Sequence, residues 1–217
     1  MTHPEQWPLR DLVLRTPRLE LRPDDDEGLR ELVEVAYGGV HEPGLMPFTV
    51  SWTDADPAYL GRGILQYFWS RRAALAPEDW GVHFLVRFEG RVIGMQELMA
   101  KDFAVTREVG SGSWLGLAHQ RRGFGTEMRA AVLQLAFDHL GARRARSDAF
   151  ADNPASLAVS RRLGYRPDGT QTVVRRGEPA DLVRLLLESA DLVRPEWTLQ
   201  VASLAGCRGL LGAGVGG

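Results

Sequence analysis

The chain is poor in cysteine, in lysine and in long apolar runs, and each shortage removes a class of protein. Cys207 is the single cysteine, so neither an internal disulfide framework nor a cysteine-rich zinc site can be built. No stretch approaches the roughly 20 apolar residues of a membrane span. Met1 to Arg15 lack the apolar core of a signal peptide, so a cytoplasmic protein with no membrane partner is expected. Lys101 is the single lysine. Arginine in its place elsewhere is what GC-rich coding gives in a bacterium, and is not in itself a phosphate-binding program. The 26 basic and 28 acidic side chains leave a net charge of −2, which offers no general attraction to nucleic acid. Any site for an anion must therefore be local. No internal repeat is visible. Two phosphate signatures are also missing: G-x-G-x-x-G after a first strand, and the Gly-Lys-Ser/Thr of a P-loop.

What is present is an ordinary globular composition, 44% hydrophobic and 25% charged, enough for one α/β domain over residues 1–200. Leu12–Leu14 and Leu19–Leu21 read as one extended strand with a bend at Thr16-Pro17. Asp24-Asp25-Asp26 supplies a helix start rather than a metal site, and Leu29, Leu32, Val33 and Ala36 fall on one helical face. Asp56-Pro57 opens a second helix with a cap and a first-turn proline. Val82–Phe88 and Arg91–Met99, joined by Glu89-Gly90, read as a hairpin, with Glu108–Leu117 as a third strand. A helix over 123–140 is stopped by Gly141. After a strand at Arg143–Phe150 comes a helix capped by Asn153-Pro154, then strands over 170–175 and 182–187. The tail, 201–217, is rich in Gly, Ala and Leu without a period; weak order, or a strand given to a neighbour, is expected there.

The informative stretch runs from Ser113 to Glu127. It places a strand, a short loop and a glycine-spaced helix start in succession. A helix N-terminus exposes unpaired N–H groups and the positive end of the helix dipole. Gly123 and Gly125 keep side chains out of the way, and Arg121 and Arg122 add charge, which suits a pyrophosphate. On spacing alone, a tight strand-to-helix turn explains the same glycines equally well.

Gln120-Arg121-Arg122-Gly123-Phe124-Gly125 resembles the Q/R-x-x-G-x-G/A signature of the GCN5-related N-acetyltransferase (GNAT) superfamily, and Thr126-Glu127 continues it as in the RimJ/RimL-like branch. Asn153-x-x-Ser156 with Arg162-Leu163-Gly164-Tyr165 is similar to that branch's second motif, and Leu14 to Pro23 to its first strand. The resemblance spans Leu12 to Leu187. It implies a mixed, mostly antiparallel sheet of about seven strands, splayed at the cofactor site and flanked by helices. It implies acetyl-CoA or another acyl-CoA as co-substrate, no metal, and direct transfer of the acyl group to a primary amine of a small molecule or protein N-terminus. Dimers are common in the resembled branch, so a homo-oligomer is expected.

Carried over residue by residue, the backbone of Trp114, Leu115, Gly116 and Leu117 lies along the pantetheine arm. The N–H groups of Arg121, Arg122, Gly123, Phe124, Gly125 and Thr126 hold the pyrophosphate, and Asn153 and Ser156 meet the cofactor from the second helix start. Leu117 supplies the oxyanion N–H. Ser160 stands where many members have a tyrosine acid; a hydrogen bond to sulfur and simple packing are both open to it. Glu97, Asp102, Glu108, Asp148 and His41 are candidate bases, of which Glu97 is carried forward. His41, Met46, Phe48 and Trp52 form an acceptor pocket wall or a plug over the sheet. Two alternatives stay open: succinyl-CoA as donor, with Arg107 as the residue to watch, and a non-catalytic module that senses CoA thioesters.

Overall fold

The computed structural model describes residues 5–214. Nine strands form one sheet in the order β7-β8-β6-β5-β4-β3-β2-β1-β9, not the seven expected. One extra strand comes from the N-terminal segment. Val13–Arg15 (β1) and Leu19–Pro23 (β2) fold back on each other as an antiparallel pair, Leu14 against Leu21. The bend at Thr16-Pro17 is therefore a turn, closed by the Thr16 N–H on the Leu19 carbonyl and the Leu19 N–H on Thr16 Oγ1. The other extra strand is Gln200–Ala202 (β9), which pairs with β1.

That pairing corrects the reading of the tail. Leu204, Cys207, Leu211 and Ala213 are buried in the main core, so the chain is packed well past residue 200. The remainder of the expected weak segment, 215–217, lies outside the described residues. These residues carry no period because each fills its own gap, and periodicity marks only elements with a regular buried face. Burial raises the Cys207 thiol to about 11, so it stays protonated and unreactive near neutral pH.

Helix α1 (Asp26–Tyr37) starts where the Asp25 carboxylate accepts from the Gly28 N–H, and buries Leu29, Leu32 and Ala36. Helix α2 (Pro57–Ala73) is capped by Asp56 and buries Ile64 and Phe68, while Tyr67 stays half exposed. Strands β3 (Asp79–Phe88) and β4 (Arg91–Lys101) form the expected hairpin, with both Glu89 and Gly90 at positive φ as a two-residue hairpin turn requires. A short α3 (Phe103–Thr106) leads into β5 (Glu108–Leu115). Helix α4 (Phe124–Gln134) continues as a π-turn over Leu135–Leu140 before β6 (Arg144–Phe150). Helix α5 (Pro154–Arg162) and the hairpin of β7 (Arg166–Arg175) and β8 (Glu178–Glu188) complete the chain order before β9.

The sheet separates two cores. One face carries α4 and α5, with Phe124, Met128, Leu163 and Tyr165 against Val109, Ala145 and Leu187. The other carries α1 and α2, with Leu29, Leu32, Ile64 and Phe68 against Leu85, Val92 and Met95. Among the described residues no helix is long and apolar enough to cross a membrane, and no group of three or more His, Cys, Asp or Glu is placed to hold a metal.

Candidate active site

The β5–β6 pair is the one parallel pair in the sheet, and it is short. Its register covers Glu108–Arg144, Val109–Ala145 and Gly110–Arg146, then stops. Each strand goes on with its other neighbour: β5 with β4 as far as Leu115–Gly94, β6 with β8 as far as Phe150–Leu182. The sheet is therefore split between residues 111–115 and 147–150, with Ser147 Oγ reaching the Ser111 carbonyl at 3.4 Å across it.

Backbone direction along β5 follows from two bonds. The Gly116 N–H donates to the Ile93 carbonyl on the β4 side, whereas the Leu115 carbonyl accepts from the Gln120 side chain at 2.9 Å. Residues along an antiparallel strand turn their N–H groups to alternate sides, so those of Ser113 and Leu115 point into the split. Leu117 does not belong with them. Its N–H donates to the Gly39 carbonyl at 3.0 Å, so the expected oxyanion donor is already committed to tying down the 38–40 segment.

At the end of the split lies the N-terminus of α4. Gly123 sits at φ +81° as the N-cap, a conformation that disfavours any side chain, and no side chain caps the helix. Arg121 is at φ +60°, and the Arg122 guanidinium stacks on Phe88 and Phe124 at 5.1 and 5.0 Å. Glu127 has a structural part that the sequence did not reveal. Nearly buried, it accepts from Thr16 Oγ1, the Arg18 N–H and Arg18 Nε, which pins the β1–β2 turn to the first turn of α4. A cavity of about 290 Å³ opens beside this turn, lined by Arg18, Gly123, Thr126, Arg162 and Trp197 among others. On α5, Asn153 Oδ1 accepts from the Ser156 N–H at 3.1 Å, and its amide nitrogen has no hydrogen-bond partner among the described residues.

On the α4–α5 face, the split is lined by hydroxyls and one cation. Ser160 is fully buried, and its Oγ accepts from Arg129 Nη1 at 2.8 Å. Arg129 Nη2 donates to Ser113 Oγ at 3.3 Å, while Nε finds no partner. Burial pushes the Arg129 guanidinium below its usual range, and no carboxylate pairs with it among the described residues. The Tyr165 and Ser111 hydroxyls lie close together without a well-aligned bond; burial raises the Tyr165 phenol, against the pull of Arg129. Orphaned buried polar atoms are rare in folded proteins. Their gathering here, with Gln96 Oε1 on the neighbouring strand, fits a site that takes a polar chain with amides to satisfy.

The α1–α2 face carries the carboxylates of the split, with arginines beside them on β6 and β8. Cross-strand partners share a face, so the register sets Glu97 beside His83 and Gly112, with Asp148 beyond the split on the same side. Glu97 Oε1 lies 3.2 Å from His83 Nε2, which Tyr67 approaches at 3.5 Å. A Cβ on Gly112 would stand 3.4 Å from Glu97 Oε2, so glycine leaves that carboxylate facing the strand edge. Burial raises the Asp148 carboxyl above the usual carboxylate range, partly offset by Arg184 and Arg146. The other candidate bases lie elsewhere. Glu108 is held by Arg146 at 2.7 Å in the closed part of the β5–β6 pair. Asp102 precedes α3 at positive φ, beyond the far end of β4. His41 spends both ring nitrogens, one near the Glu42 carbonyl at 2.8 Å and one on Thr53 Oγ1 at 2.7 Å. Arg107 stacks over Phe103 before β5 begins, at the opposite end of the strand from the split.

The 38–54 segment is both a plug and a wall. Rings run from His41 to Phe48 (5.9 Å), Trp52 (5.1 Å) and Trp114 (5.5 Å), leading from the loop onto β5. Met46 is 2% exposed and serves as packing, although it also borders a cavity of about 220 Å³. The loop is latched to the β7–β8 hairpin by Arg176 on both oxygens of Asp54, at 2.6 and 2.7 Å. His83 and Arg129 escaped the sequence reading. A lone arginine at a core position of α4, beside Met128 and Ala131, was the available signal.

Residues 18–166 match the family model described as an acetyltransferase (GNAT) domain. Among solved structures, the chain resembles RimJ from Mycobacterium smegmatis in complex with CoA-disulfide, with a TM-score of 0.71 at 19% identity over 89% of this chain and 93% of that one. A GCN5-related N-acetyltransferase from Brucella melitensis gives 0.66 at 21% identity, covering 88% and 84%. Spermidine N-acetyltransferase from Vibrio cholerae, in complex with CoA and spermine, gives 0.63 at 16% identity, covering 81% and 98%. With the family match covering well over half its length and a split sheet leading to a glycine-capped helix, the chain belongs to the GNAT acetyltransferase family and is an acyl-CoA-dependent N-acetyltransferase.

Proposed function

We propose that the protein transfers an acetyl group from acetyl-CoA to a primary amine of a small molecule or protein N-terminus, with the thioester lying in the split between β5 and β6. The observation that carries this reading is the split itself: free N–H groups on one strand edge, a helix N-terminus at its end, and carboxylates on the side opposite the helix. The N–H groups of residues 121–126 hold the pyrophosphate, with Asn153 and Ser156 alongside. Trp114 to Gly116 flank the pantetheine arm, and Ser113 and Leu115, rather than Leu117, supply N–H groups to the arm and the developing oxyanion.

In the reaction, the amine nitrogen attacks the thioester carbonyl carbon, the C–S bond breaks, and CoA leaves as a thiolate. The amine reaches the site as an ammonium, drawn by Glu97 and Asp148. Glu97 takes one proton from the ammonium, directly or through one water, and the second, lost from nitrogen as the amide forms, goes to the released thiolate or to solvent. Ser160 donates a hydrogen bond to the departing sulfur. Phe48 and Trp52, with Trp114, form the apolar wall of the acceptor side. Action in the cytoplasm and as a homo-oligomer belongs to the same reading; β7 leaves one edge of the sheet unpaired. The test is thiol release from acetyl-CoA and from succinyl-CoA against a panel of amines. Amine-dependent release from acetyl-CoA is expected, and CoA binding without release would reduce the protein to a sensor.

A further inference from the structure

Arg129 is a costly side chain to keep where it is. A guanidinium, 5% exposed, with hydroxyl partners and no carboxylate, bears a desolvation penalty that two neutral hydrogen bonds do not cancel. Packing does not require it: the neighbouring positions of α4 are Met128, Ala130, Ala131 and Val132, all buried and apolar. Its two bonds run to Ser113 of β5, at the edge of the split, and to the fully buried Ser160 of α5, which packs over the same face.

The direction of those bonds decides what they do. A serine hydroxyl has one proton to give and two lone pairs to accept with. Arginine only donates, so both hydroxyls accept from it, and each keeps its proton for another acceptor. Among the described residues neither Ser160 Oγ nor Ser113 Oγ donates to any group. Held this way, the Ser160 hydroxyl is polarised by a buried cation and must donate away from it.

We infer that Arg129 positions and polarises Ser160, and through it stabilises the departing CoA thiolate, so that the cation does the work for which a phenol acid would otherwise be needed. The inference rests on the placement of the thioester proposed above. A free thiol ionises near pH 8.5. A cation within about 4–6 Å of an anion typically lowers its pKa by about one unit or more, so the thiolate becomes a good leaving group without full protonation. The other groups facing the split on this side are the neutral hydroxyls of Ser111, Ser147 and Tyr165; the carboxylates Glu97 and Asp148 lie on the opposite face. Arg129 is thus the one buried cation on the α4–α5 face among the described residues.

The test measures the ionisation of the CoA thiol in its binary complex by thiolate absorbance against pH, for the wild type, Arg129→Met, Arg129→Lys and Ser160→Ala. Saturation with CoA is established first by calorimetry; if CoA does not bind at all, the placement of the cofactor fails, not this inference alone. The wild type is expected to hold the thiol about one pH unit or more below free CoA. Arg129→Met should lose that shift and lower kcat on the order of 100-fold with the KM for acetyl-CoA little changed. Arg129→Lys should restore part of both, and Ser160→Ala should show a smaller loss in the same direction. Arg129→Met should also melt no lower than the wild type, because an uncompensated buried charge is replaced by an apolar chain of similar length. An unchanged thiol titration in Arg129→Met would overturn the inference. So would a loss confined to succinyl-CoA, which would make Arg129 a reader of the acyl carboxylate. If Arg129→Met does not fold, Ser160→Ala carries the test, and a thiol titration there identical to wild type overturns the inference equally.

Discussion

On the α4–α5 side of the β5–β6 split, the charge is the buried Arg129 among serine hydroxyls; on the α1–α2 side Glu97 stands beside His83, with the more exposed Asp148 across the split near Arg146 and Arg184. One strand, β5, serves both. Its odd residues Ser111 and Ser113 turn toward the cation and its even residues Gly110, Gly112 and Trp114 toward the acids. On the proposed mechanism, a sheet only one residue thick keeps an anionic leaving group and a cationic nucleophile apart. In the proposed reading the two substrates meet through the split, the thiolate on the Arg129 side and the ammonium on the Glu97 side.

Changes at four positions break or sharpen that contrast. The largest effect is expected from Gly123→Glu, which sets a carboxylate against the α4 N-terminus and strains a φ of +81°. Acetyl-CoA affinity should fall at least about 100-fold by calorimetry, about 3 kcal/mol. Gly123→Ala carries the strain without the charge and should lose much less. Glu97→Gln, on the acid side, should lower kcat by about 100-fold or more while leaving CoA affinity intact. Equal losses in both quantities would mean the two faces are not separate.

Asp148→Asn should raise the KM of the amine several-fold with kcat little changed. It also has a stability sign. The folded-state pKa of Asp148 is raised, so the folded protein binds that proton more tightly than the unfolded chain does. The resulting stability is present at low pH and lost as pH rises through the raised value; Asp148→Asn should therefore melt slightly higher than wild type at neutral pH and equal it in acid. Smallest is the loop latch. Arg176 lowers the Asp54 carboxyl, so this contact is present above the usual carboxylate range and lost as pH falls through the lowered value. Asp54→Asn should loosen the 38–54 segment, read as faster amide exchange there, and change the acceptor KM without touching CoA affinity.

Much of this arrangement was legible in the residues. Caps at Asp25, Asp56 and Asn153, the Glu89-Gly90 turn and the glycine-spaced start of α4 are local signals, and each element begins within a residue or two of its cap. What was not legible depends on partners distant in sequence. The β1–β2 turn exists because Thr16 and Arg18 reach Glu127, more than a hundred residues away. Leu117 was misassigned because its N–H meets Gly39, which no spacing reveals. The faces of Glu97 and Asp148 followed only from the register, since β4 and β6 alone allow either parity. The partners of Arg129, Ser113 and Ser160, lie 16 and 31 residues away in sequence, so its role could not be read from α4 alone.

The most direct measurement is a titration of the ¹⁵N-labelled protein with acetyl-CoA, followed at its backbone amides. Thioester placed in the split requires the amides of Ser113 and Leu115 to move and gain exchange protection together with those of 123–126, while Leu117, bonded to Gly39, keeps its place. Saturating acetyl-CoA that left Ser113 and Leu115 unmoved would contradict the placement on which the chemistry of both faces depends.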